Sequence, residues 1–415
     1  MAISDDVIVI GGGLAGSMSA LSAAKAGASV RLISHKESTL RHASGLIDVL
    51  GYPTEGDQPV VNPFDALDEL PDEHPYTVVG ESGIREGLAL FDEITGDLYA
   101  GTHTDRNALV PTQQGTVKPT ARYPRSMAAG IGNDRETLLV GFESLPDFDA
   151  PLAADHLEAV NVPFASRGVT VPFPADLRVD AKYTRFATAL EREETTAALA
   201  ETVESHLDGA ERVAFPALLG RDNDGSVRSS LESHLGVSVF ELPGGPPSLP
   251  GLRLVDRLSE ALDAAGVHRS TGVPVVGRET AGDRVSSVLV DRGNHTPHPY
   301  HASEFVLATG GLVGKGIDSD RNGVHEPIFD CHVPHPKDRY DWFCGDAFGD
   351  HPFARFGVVS DGELRPVDAQ GTVEHENLRA AGSVLGGANI AAEKSGSGIS
   401  LATGALAGRL AAEAI

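Results

Sequence analysis

The chain holds two cysteines in 415 residues, Cys331 and Cys344. A tetrahedral zinc site or an iron–sulfur cubane takes four ligands, so these thiols alone build neither. His332 and His335 follow Cys331, but Pro334 and Pro336 stiffen that segment and four good ligands never assemble. A solvated loop is expected there, with no metal. A chain this long buries a core without staples, and no compulsory disulfide is expected. Positive charge is also scarce: 33 Lys+Arg stand against 59 Asp+Glu, a formal charge of −26. Such a body repels a phosphate polymer, which excludes nucleic acid as a partner. No run reaches the ~18 uninterrupted apolar residues of a membrane span, and the first residues lack a basic, apolar export signal. A cytoplasmic protein is expected, or one peripheral to the cytoplasmic face of the membrane.

What is present is ordinary globular composition, 41% hydrophobic and 22% charged. The basic residues divide into 26 Arg and only 7 Lys. The acidity reads either as a solvated surface or, more sharply, as adaptation to high salt. Debye screening falls to about 3 Å at 1 M, and such charge then stops repelling itself.

Periodicity supplies the organisation. Val7-Ile8-Val9-Ile10 reads as a buried strand, followed by a helix from Leu14 to Ala26 that Gly27 ends, and a second strand from Ala28 to Ile33. From Gly51 to Pro75 the composition turns to Pro, Asp and Glu. After Pro250, Leu252, Val255, Leu258, Leu262 and Ala265 mark one helix face. Strands follow near Val273–Val276, Val285–Val290 and Glu304–Ala308, with a turn at Gly293-Asn294. The last 40 or so residues repeat the opening logic: a strand over Asn377–Ala381, glycines from Gly382 to Gly398, then a small-residue helix. The fold expected is α/β, a Rossmann-type flavin or dinucleotide-binding domain built from both chain ends (1–50 plus 251–415). Residues 76–250 form an inserted second domain for substrate, cap or partner, and 51–75 form an acidic excursion.

The clearest chemistry lies in Gly11-x-Gly13-x-x-Gly16. Gly11 permits a tight turn, Gly13 admits a pyrophosphate to the backbone, and Gly16 allows close helix–strand packing. Leu14 and Ala15 open the helix whose amides and dipole favour phosphate. The carboxylate that normally ends the second strand and takes ribose hydroxyls is missing; Ser34, His35 and Lys36 stand there. Either Ser34 is a harmless substitution, or the adenosine half is altered and His35 and Lys36 face phosphate.

The far end of the chain argues against a simple NAD dehydrogenase. Val306-Leu307-Ala308-Thr309-Gly310-Gly311 resembles the strand that ends against the cofactor in two-domain flavoproteins. Gly382-Ser383 occupies the place where these commonly carry Gly-Asp, with Gly386-Gly387, Gly396 and Gly398 behind it.

Further stretches make the resemblance specific: Ser44-Gly45-Leu46-Ile47-Asp48; Pro246-Pro247-Ser248 with Gly251 and Arg253; Arg321-Asn322-Gly323 with Glu326-Pro327; Phe356-Gly357-Val358 with Leu364-Arg365-Pro366; and Gly382-Ser383-Val384-Leu385-Gly386-Gly387. With the Gly11–Gly16 loop these run from end to end. The chain resembles the B subunits of anaerobic glycerol-3-phosphate dehydrogenases, flavoproteins related to the succinate dehydrogenase and fumarate reductase flavoproteins.

The resemblance implies oxidation of sn-glycerol 3-phosphate to dihydroxyacetone phosphate, with electrons passing to quinone. The partners it implies are the catalytic flavoprotein (A) and iron–sulfur (C) members of one complex. It also implies FMN, whereas the pyrophosphate-type loop favours FAD. The substrate is then a small phosphorylated molecule. Arg321, Arg355 and Arg365 would clamp its phosphate, or serve the surface. His325 and Glu326 would orient a substrate hydroxyl or take its proton. The catalytic flavoprotein partner is the one usually credited with substrate oxidation, so an electron relay or an assembly role stays open. An independent flavin-dependent reductase is the remaining alternative.

Overall fold

The continuous β-branched run Val7-Ile8-Val9-Ile10 places Ile3–Ile10 (β1) inside a sheet, with Val7, Ile8 and Val9 wholly buried. The computed structural model describes residues 3–53, 56, 58–132, 134–178, 181–222, 224–246, 248–293 and 296–415. Pro247 and Asn294, part of two sequence motifs above, lie outside the described residues, as do 54, 55 and 57 of the acidic excursion.

The chain divides into two units. The first comprises 1–39, 48–96 and 257–415; the second comprises 40–47 and 97–256. This differs from the division read in the sequence at three places. The helix Pro75–Thr95 (α2), expected in the inserted block, belongs to the first unit, and so does the excursion 51–75. The short segment 40–47 goes to the second unit. The chain returns to the first unit within the helix Leu249–Ala264.

In the first unit, β1 pairs in parallel with Val30–Ser34 (β2) on one side and with the strand His298–Leu307 on the other. His268–Thr271 extends the sheet beyond β2, and Leu378–Ala380 pairs in parallel with the end of His298–Leu307. An antiparallel ribbon, Val275–Ala281 and Arg284–Val290, completes the other edge. The helix Leu14–Lys25 (α1) follows β1 directly and ends one residue short of the expected Ala26. Its buried face meets the C-terminal helix Gly396–Glu413 through two glycines. A Cβ on Gly404 would lie 2.6 Å from the Ala15 carbonyl oxygen, and one on Gly408 would lie 2.1 Å from that of Ser19. Only glycine lets these backbones approach so closely.

The second unit has its own sheet of four parallel strands, in the order Ser238–Leu242, Arg212–Pro216, Thr137–Phe142, Ser166–Val171. Its core includes Leu138, Val140, Phe142, Phe186, Phe215 and Phe240. A buried ion pair, Arg253–Glu241 at 2.7 Å, braces it, and the Leu219 amide donates to the same carboxylate at 2.7 Å. Burial pushes the Glu241 carboxyl up, but the Arg253 charge and the hydrogen bonds outweigh it and hold it below its ordinary value.

Candidate functional site

The ends of three parallel strands of the first unit open onto one set of loops. After β1, Gly11 turns with φ +119°, and a Cβ there would lie 2.1 Å from the Ala308 carbonyl oxygen. The Gly11 amide donates to Ile33 O at 2.8 Å and the Ala308 amide to Ile10 O at 2.8 Å. Gly11–Gly16 and Ala308–Gly311 are therefore locked side by side. Gly16 is forced by packing: its Cβ would lie 1.8 Å from the Gly11 carbonyl oxygen. Gly13 differs from both. A Cβ there would meet nothing within 4 Å, and Gly13 caps α1 without any side-chain hydrogen bond. The first-turn amides of Leu14, Ala15 and Gly16 have no acceptor within the helix, and they border this open space. Such a helix end suits a phosphate.

Gly310 follows with φ +83°, and the Gly311 amide donates to Ser383 Oγ at 3.2 Å. Thr309 Oγ1 is buried and has no hydrogen-bond partner among the described residues. Gly382 turns with φ +76°, its Cβ position 2.6 Å from Ala15 Cβ, and its amide donates to Thr403 Oγ1 at 2.8 Å. That bond ties the Gly382 loop to the C-terminal helix. Gly396 begins this helix, and the Gly398 amide donates to Asp48 O at 2.7 Å. The first turn of α1, a buried unsatisfied hydroxyl and an open glycine thus stand on adjoining loops, tied through Gly382 to the C-terminal helix. A long ligand with a pyrophosphate and a polar ring fits this set of donors.

Ser34 ends β2 against the loop: a Cβ on Gly12 would lie 2.9 Å from Ser34 Cβ. His35 and Lys36 follow it, exposed. Ser44 and Gly45 fall in the second unit. There Ser44 Oγ accepts from the Leu46 amide at 3.3 Å, and the Gly45 carbonyl accepts from Tyr99 OH at 2.7 Å.

The four candidate catalytic residues do not converge. Arg321 and His325 are exposed on the hairpin formed by Asp318–Ser319 and Val324–His325. Glu326, the next residue along, points inward; it is 1% exposed and accepts from the amides of Ile328 at 2.9 Å and Phe329 at 2.7 Å. Burial pushes its carboxyl above the ordinary value, against the pull of those amides. Arg365 is ringed by Asp361 at 2.8 Å, Glu376 at 3.0 Å and Glu363 at 3.6 Å. Arg355 pairs with Asp350 at 2.7 Å. Cys331 is buried, and burial with Glu326 and Glu374 drives its thiol well above the usual range, which disfavours the thiolate.

Sequence reasoning passed over His74, Asn389 and Glu393, which form a buried cluster just before the C-terminal helix. No local signal marks them, since His74 and Glu393 stand 319 residues apart. The glycines at 404 and 408 were visible only as part of a small-residue helix.

The chain is similar to known proteins over most of its length. Residues 6–399 match the FAD binding domain family. The chain is 59% identical over 426 aligned residues to the probable anaerobic glycerol-3-phosphate dehydrogenase B subunit of Halobacterium salinarum, covering 100% of this chain and 99% of that one. It is 31% identical to the anaerobic glycerol-3-phosphate dehydrogenase B subunit of Vibrio cholerae, over 96% and 94% of the two chains. A solved 3-ketosteroid-Δ4-(5α)-dehydrogenase from Rhodococcus jostii aligns with a TM-score of 0.40 at 12% identity, over 99% and 96% of the chains. The family match specifies FAD where the sequence alone left FMN and FAD open.

Proposed function

Because the chain belongs to the FAD binding domain family and, within it, to the anaerobic glycerol-3-phosphate dehydrogenase B subunits, we propose that it is the FAD-bearing B subunit of such a complex. The complex oxidises sn-glycerol 3-phosphate to dihydroxyacetone phosphate and delivers the electrons towards quinone. Its other members are a catalytic flavoprotein (A) and an iron–sulfur protein (C). The observation that carries this reading is full-length similarity on a chain whose two ends meet around one glycine-lined rim. Bound FAD supplies reversible two-electron chemistry at its ring.

The residues of this chain do the holding. The Gly11–Gly16 loop and the first turn of α1 receive the pyrophosphate, Gly13 giving it access to the backbone. Thr309 Oγ1 and the Gly310–Gly311 turn line the neighbouring stretch, and Gly382, Ser383 and the start of the C-terminal helix flank the ring.

Within the complex we assign this chain to electron transfer, with substrate oxidation on the catalytic flavoprotein partner. The support is the engagement of the candidate substrate residues: Glu326 is spent on backbone amides, and Arg365 on three carboxylates. The test is anaerobic titration of the FAD-loaded chain with glycerol 3-phosphate. Absorbance should stay unchanged with the chain alone and bleach once the two partner proteins are added. Bleaching of the lone chain would move substrate oxidation here, and bleaching by an unrelated acid alone would point to an independent reductase.

A further inference from the structure

The C-terminal helix Gly396–Glu413 begins at Ser395 without a side-chain cap. Its start is held instead by a buried polar cluster that the flavin rim does not use. His74 is 0% exposed and Glu393 4%. His74 Nδ1 accepts from the Tyr76 amide at 3.1 Å, which leaves the ring proton on Nε2. Nε2 then donates to the Glu393 carboxylate at 3.1 Å. The same carboxylate accepts from Ser395 Oγ at 2.8 Å and from the Asn389 amide at 2.8 Å. The backbone carbonyl of Glu393 accepts from the amides of Gly51 at 2.8 Å and Tyr52 at 3.0 Å. Tyr76 OH donates to Val49 O at 2.6 Å and to Ser395 O at 3.3 Å.

Most of these bonds grip Glu393 and Ser395, just before the helix. Burial alone would push the Glu393 carboxyl up, yet His74, Ser395 and Asn389 together bring it below its ordinary value. The result is a fixed anion at the positive end of an 18-residue helix. Lys394 is no counterion for it, being exposed with its Nζ donating to Ala391 O at 2.5 Å. An anion there subtracts from the positive field that the helix end offers to whatever lies beyond it.

We propose that the His74–Glu393 couple is a positioning device for the flavin, fixing the first turn of the C-terminal helix and, through its charge, holding the flavin reduction potential down. This rests on the FAD reading. Glu393 acts through the helix end rather than by touching a cofactor atom. An electron added to the ring is disfavoured by the nearby negative charge, so the oxidised form is favoured.

The test uses the FAD-loaded protein and a spectroelectrochemical titration at high KCl. Glu393→Gln keeps the shape and removes the charge; it should move the reduction equilibrium about tenfold towards reduced flavin, about 30 mV for a two-electron couple. Glu393→Asp retains the charge and should restore a potential nearer to wild type. His74→Gln removes the ring partner that helps hold the carboxyl down, so it should move the potential the same way as Glu393→Gln, and the idea stays testable if Glu393→Gln fails to fold. A potential unchanged in Glu393→Gln, or one unchanged in His74→Gln, would overturn the proposal while leaving FAD binding intact. Wild-type protein that holds no FAD would overturn both the proposal and the functional reading.

Discussion

Two glycines of one motif should behave in opposite ways. Gly16→Ala places a Cβ 1.8 Å from the Gly11 carbonyl oxygen and 3.0 Å from its carbon. That carbonyl has little room to yield, because Gly11 itself is pressed to within 2.1 Å (Cβ position) of Ala308 O. Alanine gains about 1 kcal/mol over glycine in a helix, while overpacking of a rigid contact costs about 1–3 kcal/mol or more. A 1.8 Å approach to a backbone oxygen lies at the upper end of that cost, so the net is a loss of roughly 2 kcal/mol, a factor of about 30 in the folding equilibrium. Gly13→Ala meets nothing within 4 Å, and Gly13 already has φ −80° and ψ −169°, which alanine adopts freely. Its apoprotein should match wild type to within about 0.5 kcal/mol. Its methyl group, however, occupies the approach to the pyrophosphate, so FAD affinity should fall about tenfold or more. Urea unfolding of both apoproteins at fixed KCl, with FAD titration followed by flavin fluorescence, separates the two effects. If Gly13→Ala destabilises the apoprotein as much as Gly16→Ala, or binds FAD like wild type, the division into packing glycine and cofactor glycine is wrong.

Four other outcomes follow from the same contacts. Replacing Arg253 alone by Met should strip the buried Glu241 of its partner and cost about 3–5 kcal/mol, whereas replacing both by apolar residues should recover most of it; urea unfolding of single and double variants decides. Glu326→Ala should leave buried amides at 328 and 329 without their acceptor, losing about 1–3 kcal/mol for each; an unaltered unfolding midpoint would refute the buried role. Because the Glu393 carboxyl is depressed on folding, its contribution is present above the unfolded value near 4.5 and lost as pH falls through the lower folded value. The stability gap between wild type and Glu393→Gln should therefore close in that acid window, and a gap that widens there would contradict the assignment. With a formal charge of −26, stability and FAD retention should rise with KCl into the molar range; full retention at low salt, with no gain on addition, removes the halophilic reading.

How far the site was legible depends on the range of the interactions that make it. Gly11–Gly16 directly follows Val7–Ile10 and opens α1, so strand, turn and helix are all local, and their pattern is written in consecutive residues. The same holds for Leu307–Gly311 and for Leu378–Ser383, where a short apolar strand runs into glycine. Ser44 and Gly45 show a placement that consecutive residues do not carry. Their motif is recognisable, but the segment 40–47 packs with the second unit, where Gly45 is held close to Pro250 and Pro124. Val324, His325 and Glu326 expose a similar gap. Adjacent side chains of an extended strand point opposite ways, so a polar pair in sequence becomes one exposed imidazole and one buried carboxylate. The late arginines looked free among turn residues, yet Arg365 found three carboxylates from Asp361, Glu363 and Glu376.

By itself the sequence determined the elements and their chemistry: an N-terminal strand–glycine–helix unit, a second strand ending against glycine near residue 310, a small-residue helix at the end, and an acidic body. These depend on neighbours along the chain, where period, glycine and charge are read directly. The tertiary structure alone decided which of those pieces meet. It joined His74 to Glu393, set Gly404 and Gly408 against α1, turned Glu326 inward, and assigned 40–47 to the second unit and 48–96 to the first. Each of these is a contact between segments that are distant in the chain or a choice of face. Burial and backbone approach settle such choices only once the whole unit has closed.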